Sequence, residues 1–317
     1  MFLITRDDFG GAELRKERAD ESFDSLGEIL EDVGVEESKK KAVSPTTLME
    51  YLGIEFDTIK MEMRVSQVKL QELKQDLSSW KKKKVASKQE LQSLLGKLMW
   101  VSKCVKFSRV FVSRIIALVR TLKAQRDKAK MVYDIKKDIL WWDTFIEQFN
   151  GIEYMTDENI DISIYGDAQP TGGGAWNPDT RECFTVPFPA HMASSDVPIH
   201  VKEFWIVIVS IRLWGDKWMG RTIQIFCDND AVVDVINYQK PKDIVMQELL
   251  REFLFLVCNY KFAPILSKIK SKENDVADYL SRNQDQEDNR RYFEKKNLDL
   301  PEFKTIPDNW FEYSADW

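Results

Sequence analysis

The chain has 317 residues, 44% of them hydrophobic and 31% charged, with a net charge of -6, enough apolar material for two or three separate cores. No apolar run reaches the length of a membrane span and no signal-peptide pattern opens the chain, so no membrane-spanning helix and an intracellular location are expected. Cys104, Cys183, Cys227 and Cys258 lack paired spacing and only His191 and His200 could join them; they read as small buried hydrophobes rather than zinc ligands or a disulfide framework.

Residues 1–65 contain a short apolar strand, the pair Asp7-Asp8, an amphipathic helix through Phe23, Leu26, Ile29, Leu30 and Val33 closed by Gly34, and an extended run from Met49 to Phe56. Residues 66–150 read as helices throughout. Leu70, Leu73, Leu77 and Trp80 mark the first, Leu91, Leu94, Leu95 and Leu98 the next, and Ile135, Ile139, Trp142, Phe145, Ile146 and Phe149 the last, before the break at Asn150-Gly151.

The net charge hides an asymmetry in this second part. Between Lys81 and Lys130, fifteen Lys and Arg stand against Glu90 and Asp127. Lys81, Lys82, Lys83, Lys84, Lys88, Lys97, Lys103, Lys106, Arg109 and Arg114 are interleaved with the apolar stripes, and the excess continues through Arg120, Arg126 and Lys130. On one helix this would be an ordinary solvated face. Spread over several helices, it points to contact with nucleic-acid phosphates.

From residue 158 to 283 the period changes. Ile162, Ile164 and Tyr165 alternate toward Asp167, the glycine run Gly172-Gly173-Gly174 follows, and Cys183 to Phe188 form another short strand. A helix over Val201 to Trp214, a strand over Thr222 to Cys227, helices near Asp230 to Asn237 and Ile244 to Cys258, a strand near Lys261 to Leu266 and a last helix bearing Asp278 complete the part. Strands followed by alternating helices and strands predict an α/β sheet of mixed direction. Residues 284–317 read as a polar tail that turns aromatic at Trp310, Phe311, Tyr313 and Trp317.

Four acids carry the chemistry. Asp167 and Asp228 end neighbouring predicted strands, so both emerge on one rim of the sheet. Glu203 is expected in the first turn of a helix packed on that sheet, and Asp278 on a later helix completes a ring. Crowded carboxylates repel unless cations balance them. Two Mg²⁺ ions, or Mn²⁺, would do so and would suit in-line attack on a phosphodiester, with no histidine or serine nucleophile. Asn229 and Asp230 read as the cap of the next helix.

At these residues the chain resembles the ribonuclease H domain of retrotransposon polyproteins: Ile164-Tyr165-Gly166-Asp167-Ala168 before the glycines, Lys202-Glu203 opening a helix, Phe226 to Val233, and Asn274-Asp275-Val276-Ala277-Asp278-Tyr279-Leu280-Ser281-Arg282. The resemblance implies a mixed five-stranded sheet and endonucleolytic cleavage of the RNA strand in an RNA–DNA hybrid. It implies that Asp167 touches both metals, Glu203 and Asp228 hold one, and Asp278 helps hold the other. The loop Ser267 to Asn274 departs from the family, having neither the histidine that many members carry nor the Pro-Gly turn of retrotransposon members.

Upstream, Phe2 to Gly11 resembles the second half of a reverse-transcriptase palm, with Asp7 and Asp8 as its paired metal-binding aspartates and Thr5 where the family has an aromatic residue. Met49 to Phe56 is similar to primer-gripping strands, and residues 66–150 to a thumb and connection of DIRS or Ty3/gypsy kind. The third palm aspartate and the fingers have no counterpart, so the resemblance implies a truncated palm with a vestigial polymerase site and no DNA synthesis by the isolated chain. An intact reverse transcriptase is a further expected partner beside the nucleic acid. The second reading is a catalytically inactive nucleic-acid-binding remnant.

Overall fold

The structure, a computed structural model, describes residues 2–4, 9–36, 38, 42–105, 108–149, 152–154, 159–241 and 243–315. Near the amino terminus, the helix Lys16–Asp32 ends through Gly34, whose φ of +72° supplies the left-handed residue that commonly stops a helix. The strands Leu48–Tyr51 and Ile54–Asp57 form an antiparallel hairpin. Leu52 and Gly53 turn it with positive φ, the backbone that matches the twist of the flanking strands. Glu62–Val65 and then Ile152–Tyr154 extend it to four antiparallel strands.

The second part is helical over Gln67–Lys82, Lys88–Val101, Ser113–Thr121 and Tyr133–Phe149. The expectation of helices throughout is corrected at two places. Val85–Ser87 and Lys128–Lys130 pair as an antiparallel ribbon, which segments of three residues are too short to announce by periodicity. Ser87 then caps the following helix reciprocally with Glu90, satisfying two otherwise orphaned backbone donors.

The carboxy-terminal sheet positions the four acids. Its strands are β1 (Ile162–Ala168), β2 (Gly172–Asn177), β3 (Glu182–Pro187), β4 (Thr222–Cys227), β5 (Ala263–Lys268) and β6 (Glu302–Phe303), with helices α1 (Ile199–Trp214), α2 (Asp230–Tyr238), α3 (Ile244–Tyr260), α4 (Asp275–Arg282) and α5 (Gln286–Lys295). The spatial order is β5-β4-β1-β2-β3-β6. β1, β2 and β3 are antiparallel, while β4 runs parallel to β1, β5 to β4 and β6 to β3. The sheet is therefore mixed, but six-stranded rather than five-stranded. The extra strand comes from the expected tail: Glu302 N donates to Arg181 O and Lys304 N to Cys183 O, both at 2.8 Å. Two residues are too few to show an alternation, and the neighbouring edge, not local pattern, makes them a strand.

Adjacent strand residues face opposite sides of a sheet, and the β2 glycines use both. A Cβ on Gly173 would lie 2.3 Å from Ile206 of α1, and one on Gly174 would lie 2.7 Å from Leu280 Cβ and 2.9 Å from the Leu280 backbone carbon of α4. Thus α1 and α4 press on opposite faces at neighbouring residues. On the α1 side, Phe204, Ile206, Ile208, Val209 and Ile211 are all fully buried, because the helix is enclosed by the sheet and by α3. On the α4 side a smaller cluster joins Cys183, Val276, Leu280 and Phe293. Gly174→Ala should cost about 1–3 kcal/mol by forcing backbone apart. Gly173→Ala should cost less, since the end of the Ile206 side chain can swing away. Urea unfolding of the two variants orders them.

Residues 284–315 pack on the sheet unit rather than trailing from it. Arg212 of α1 donates to Glu312 O at 2.7 Å and to Trp310 O at 2.5 Å, and Ser314 donates to Glu252 of α3 through N at 2.8 Å and Oγ at 2.6 Å. The largest apolar cluster runs without a break from the helical part into the sheet unit. At their junction Arg251 of α3, 1% exposed, donates to Asp138 Oδ1 at 2.7 Å, and Arg114 Nη1 reaches the same oxygen at 3.4 Å.

Candidate active site

Asp167 is the penultimate residue of β1 and Asp228 directly follows β4. The parallel register pairs Tyr165 with Phe226, so the two aspartates leave matching ends of adjacent strands. Glu203 begins the second turn of α1 rather than its first. The helix starts at Ile199, two residues earlier than the apolar pattern suggests, because Pro198 in extended conformation serves as its N-cap. Buried Lys202 beside it donates to Pro170 O at 2.7 Å and Ser194 O at 3.1 Å, tying the β1–β2 connection to the helix. Asp278 lies in the first turn of α4.

Two of the four are buried and feel neighbouring acids. Asp167 is 6% exposed; burial pushes its carboxyl up to about 6, Ser281 opposes the rise, and the charges of Asp228 and Asp278 add to it. Glu203 is 7% exposed; burial pushes it up to about 7, with Asp228 and Asp167 adding and the hydrogen bonds from Cys227 and Asn229 opposing.

Neutral donors orient three of the four. Ser281 Oγ lies 2.6 Å from Asp167 Oδ2, Ser271 Oγ donates to Asp228 Oδ2 at 2.8 Å, and Glu203 accepts from Cys227 Sγ at 3.3 Å and Asn229 Nδ2 at 3.4 Å. Asn229 also caps α2 by accepting from Ala231 N at 2.9 Å. Asp278 differs: Arg282 grips it through Nε at 2.9 and 3.0 Å and Nη2 at 2.6 Å. Ser281, Ser271 and Cys227 carried no role in the sequence reading. The (i, i+3) spacing of Asp278 and Ser281 was visible, but the strand that Ser281 reaches is 114 residues away.

Ligand atoms of Glu203, Cys227 and Asp228 all lie within 4.8 Å of one another. Burial and the neighbouring acids raise the Cys227 thiol well above its usual range, so it stays protonated and serves as a donor to Glu203. The remaining donor set is carboxylate oxygen, which fits a hard divalent cation. Because bound cations need ionised ligands, affinity should rise with pH through 6 to 7.

The same shifts give a stability prediction. Both folded-state values lie above their ordinary values of 3.8 and 4.5. In chelator their contribution is full below about pH 4 and lost as pH rises through 6 and 7. The melting temperature in EDTA should fall by a few degrees between pH 5.5 and 8, Glu203→Gln should flatten the fall, and added Mg²⁺ should restore stability most at pH 8.

The other nominated residues divide. Lys81 pairs with Asp143 at 2.5 Å, Lys83 with Glu90 at 2.6 Å, and Lys97 with Asp76; Lys88 donates to Leu122 O at 2.8 Å and Lys123 O at 3.2 Å. Arg114 is drawn to Asp138. Lys82, Lys84, Lys103, Arg109, Arg120, Arg126 and Lys130 are exposed. Lys106, Thr5, Asp7 and Asp8 lie outside the described residues.

No family model and no curated protein matches the chain. Among solved structures it is similar to a foamy viral protease-reverse transcriptase in complex with double-stranded DNA, at 14% identity and TM-score 0.39 over 85% of this chain and 46% of that one. A foamy viral protease-reverse transcriptase in complex with RNA/DNA hybrid gives 12% and 0.38 over 84% and 35%. LC11-RNase H1 in complex with RNA/DNA hybrid gives 17% and 0.32 over 38% and 93%. The chain thus spans less than half the length of these viral chains.

Proposed function

We infer that the chain is a metal-dependent nuclease of ribonuclease H type that cuts the RNA strand of an RNA–DNA hybrid. What supports this reading is that Asp167 and Asp228 leave matching ends of adjacent strands while Glu203 and Asp278 sit on helices packed against opposite faces of the same sheet, with burial and neighbouring acids raising the carboxyls of Asp167 and Glu203. Two Mg²⁺ or Mn²⁺ ions held by these four side chains would supply an activated water and charge stabilisation at the leaving oxygen. The protein's part is to orient and exclude. Ser281, Ser271, Cys227 and Asn229 hold carboxylate oxygens without bringing a competing charge, and the helix that carries Glu203 is buried against the sheet.

Residues 66–150 are read as a basic thumb and connection that holds the hybrid by its phosphates, and residues 1–65 as part of a retroelement polymerase palm. The test is a hybrid labelled on either strand, incubated with Mg²⁺ or Mn²⁺. Cleavage confined to RNA and abolished by chelator is the expected result; no cleavage of any hybrid, or equal cutting of both strands, refutes the reading. Binding should weaken by about 0.7–0.9 log unit per log unit of salt for each phosphate contacted. The grip of Arg282 on Asp278 favours one alternative, a nucleic-acid-binding remnant without catalysis. Salt-dependent hybrid binding with no cleavage at any metal concentration would establish it.

A further inference from the structure

The four acids are not held alike. Among the described residues, the side chains hydrogen-bonded to Asp167, Glu203 and Asp228 are neutral, and they leave oxygen lone pairs open to a cation. Asp278 instead meets a full positive charge, with both of its oxygens engaged by Arg282. A divalent cation can therefore use both Asp278 oxygens only after the guanidinium has moved.

That movement is cheap. The two side chains are 56% and 38% exposed and sit four residues apart on α4, the kind of surface pair whose net worth is small. Ser281, one residue earlier, is 2% exposed and bonded to Asp167, so the helix stays seated while Arg282 swings. Asp167 also acts on Arg282 electrostatically, which places the guanidinium inside the field of the ring. Its planar fork matches two oxygens of a phosphate as well as it matches a carboxylate.

We propose that Arg282 is an exchangeable counter-ion: it neutralises Asp278 in the free protein and transfers to a backbone phosphate of the nucleic acid when a divalent cation takes Asp278. The proposal rests on the metal-nuclease reading and adds a substrate-binding residue to it. It also makes cation uptake and hybrid binding mutually reinforcing, since each removes Arg282 from where the other leaves it unwanted.

The test uses the full chain as wild type, Arg282→Met and Arg282→Lys. Mn²⁺ is titrated calorimetrically without nucleic acid, and hybrid affinity is measured against salt in Ca²⁺. Arg282→Met should bind Mn²⁺ roughly two- to threefold more tightly, as loss of a weak competing pair allows. It should bind hybrid more weakly, with a salt slope shallower by about 0.9. Arg282→Lys, a point charge without the fork, should gain Mn²⁺ affinity yet keep the wild-type slope. Unchanged or weaker Mn²⁺ binding in Arg282→Met, or an unchanged salt slope, overturns the exchange and leaves a structural helix pair. If Asp228→Asn titrates with Mn²⁺ like wild type, the metal-nuclease reading falls and the exchange with it. A wild type that cleaves hybrid while Arg282→Met is unaltered in both titrations overturns the exchange alone.

Discussion

Asp138→Ala should lower the unfolding free energy by about 3–5 kcal/mol, the usual cost of breaking a buried ion pair from one side. Asp138 is fully buried and accepts from Arg251, 1% exposed, at 2.7 Å. Arg114 adds Nη1 at 3.4 Å and its backbone N at 3.3 Å. Burial pushes the Asp138 carboxyl up to about 6 against the pull of both arginines, and burial likewise lowers Arg251. Desolvation is thus the dominant cost of the cluster, and its charges persist because each partner would be worse off alone. Arg251 also lies 5.4 Å above the Phe111 ring, with Nε lacking a partner. Removing Asp138 takes away the hydrogen-bonded counter-charge of that buried guanidinium. The double variant Asp138→Leu with Arg251→Met should recover most of the loss, because Arg114 is 17% exposed and can turn to water. Denaturant unfolding of the three chains measures both effects. A single-variant loss under about 1 kcal/mol would mean that water already reaches the cluster.

Asp167→Asn should reduce hybrid cleavage about a thousandfold, which corresponds to roughly 4 kcal/mol of transition-state stabilisation, the scale of a cation's contribution. Among the four acids, Asp167 is coupled to both Asp228 and Asp278 and is the most buried. An amide can still accept from Ser281 but cannot balance a cation. The fold should survive: removing a carboxyl whose ionisation is penalised should leave the chelated protein as stable or more so at pH 8. Loss of cleavage together with unchanged or raised melting temperature separates a chemical role from a structural one. Retained cleavage would remove Asp167 from the site.

Asp167, Asp228 and Asp278 could be placed on their elements from short segments because each occupies a local context with its own chemistry. Asp167 precedes a glycine run that lets helices approach both faces, Asp228 precedes the cap residue Asn229, and Asp278 stands in the first turn of an amphipathic helix. Strand ends, caps and helix faces are encoded within a few residues. The helix α1 starts two residues before its apolar run predicts, because the extended Pro198 that precedes it is the N-cap.

Partnership across the chain was another matter. Arg251 and Asp138 are separated by 113 residues, and Ser281 and Asp167 by 114. In sequence, Asp138 looks like one more charged residue on a helix, and Ser281 is one member of the motif at residues 274–282 with no partner indicated. The same holds for the tail, whose strand exists because β3 offers an unpaired edge, and for the lysines, several of which find carboxylates or carbonyls within the protein.

Composition and periodicity therefore specified basic helices, a mixed sheet and the strand ends that carry Asp167 and Asp228, since side-chain spacing directly reports which face of an element is buried. The sixth strand, the neutral grips on three acids, the arginine on the fourth and the buried ion cluster between the halves arose only on folding. A hydrogen bond or ion pair depends on ångström-scale placement of groups far apart in the chain, and no local pattern carries that distance.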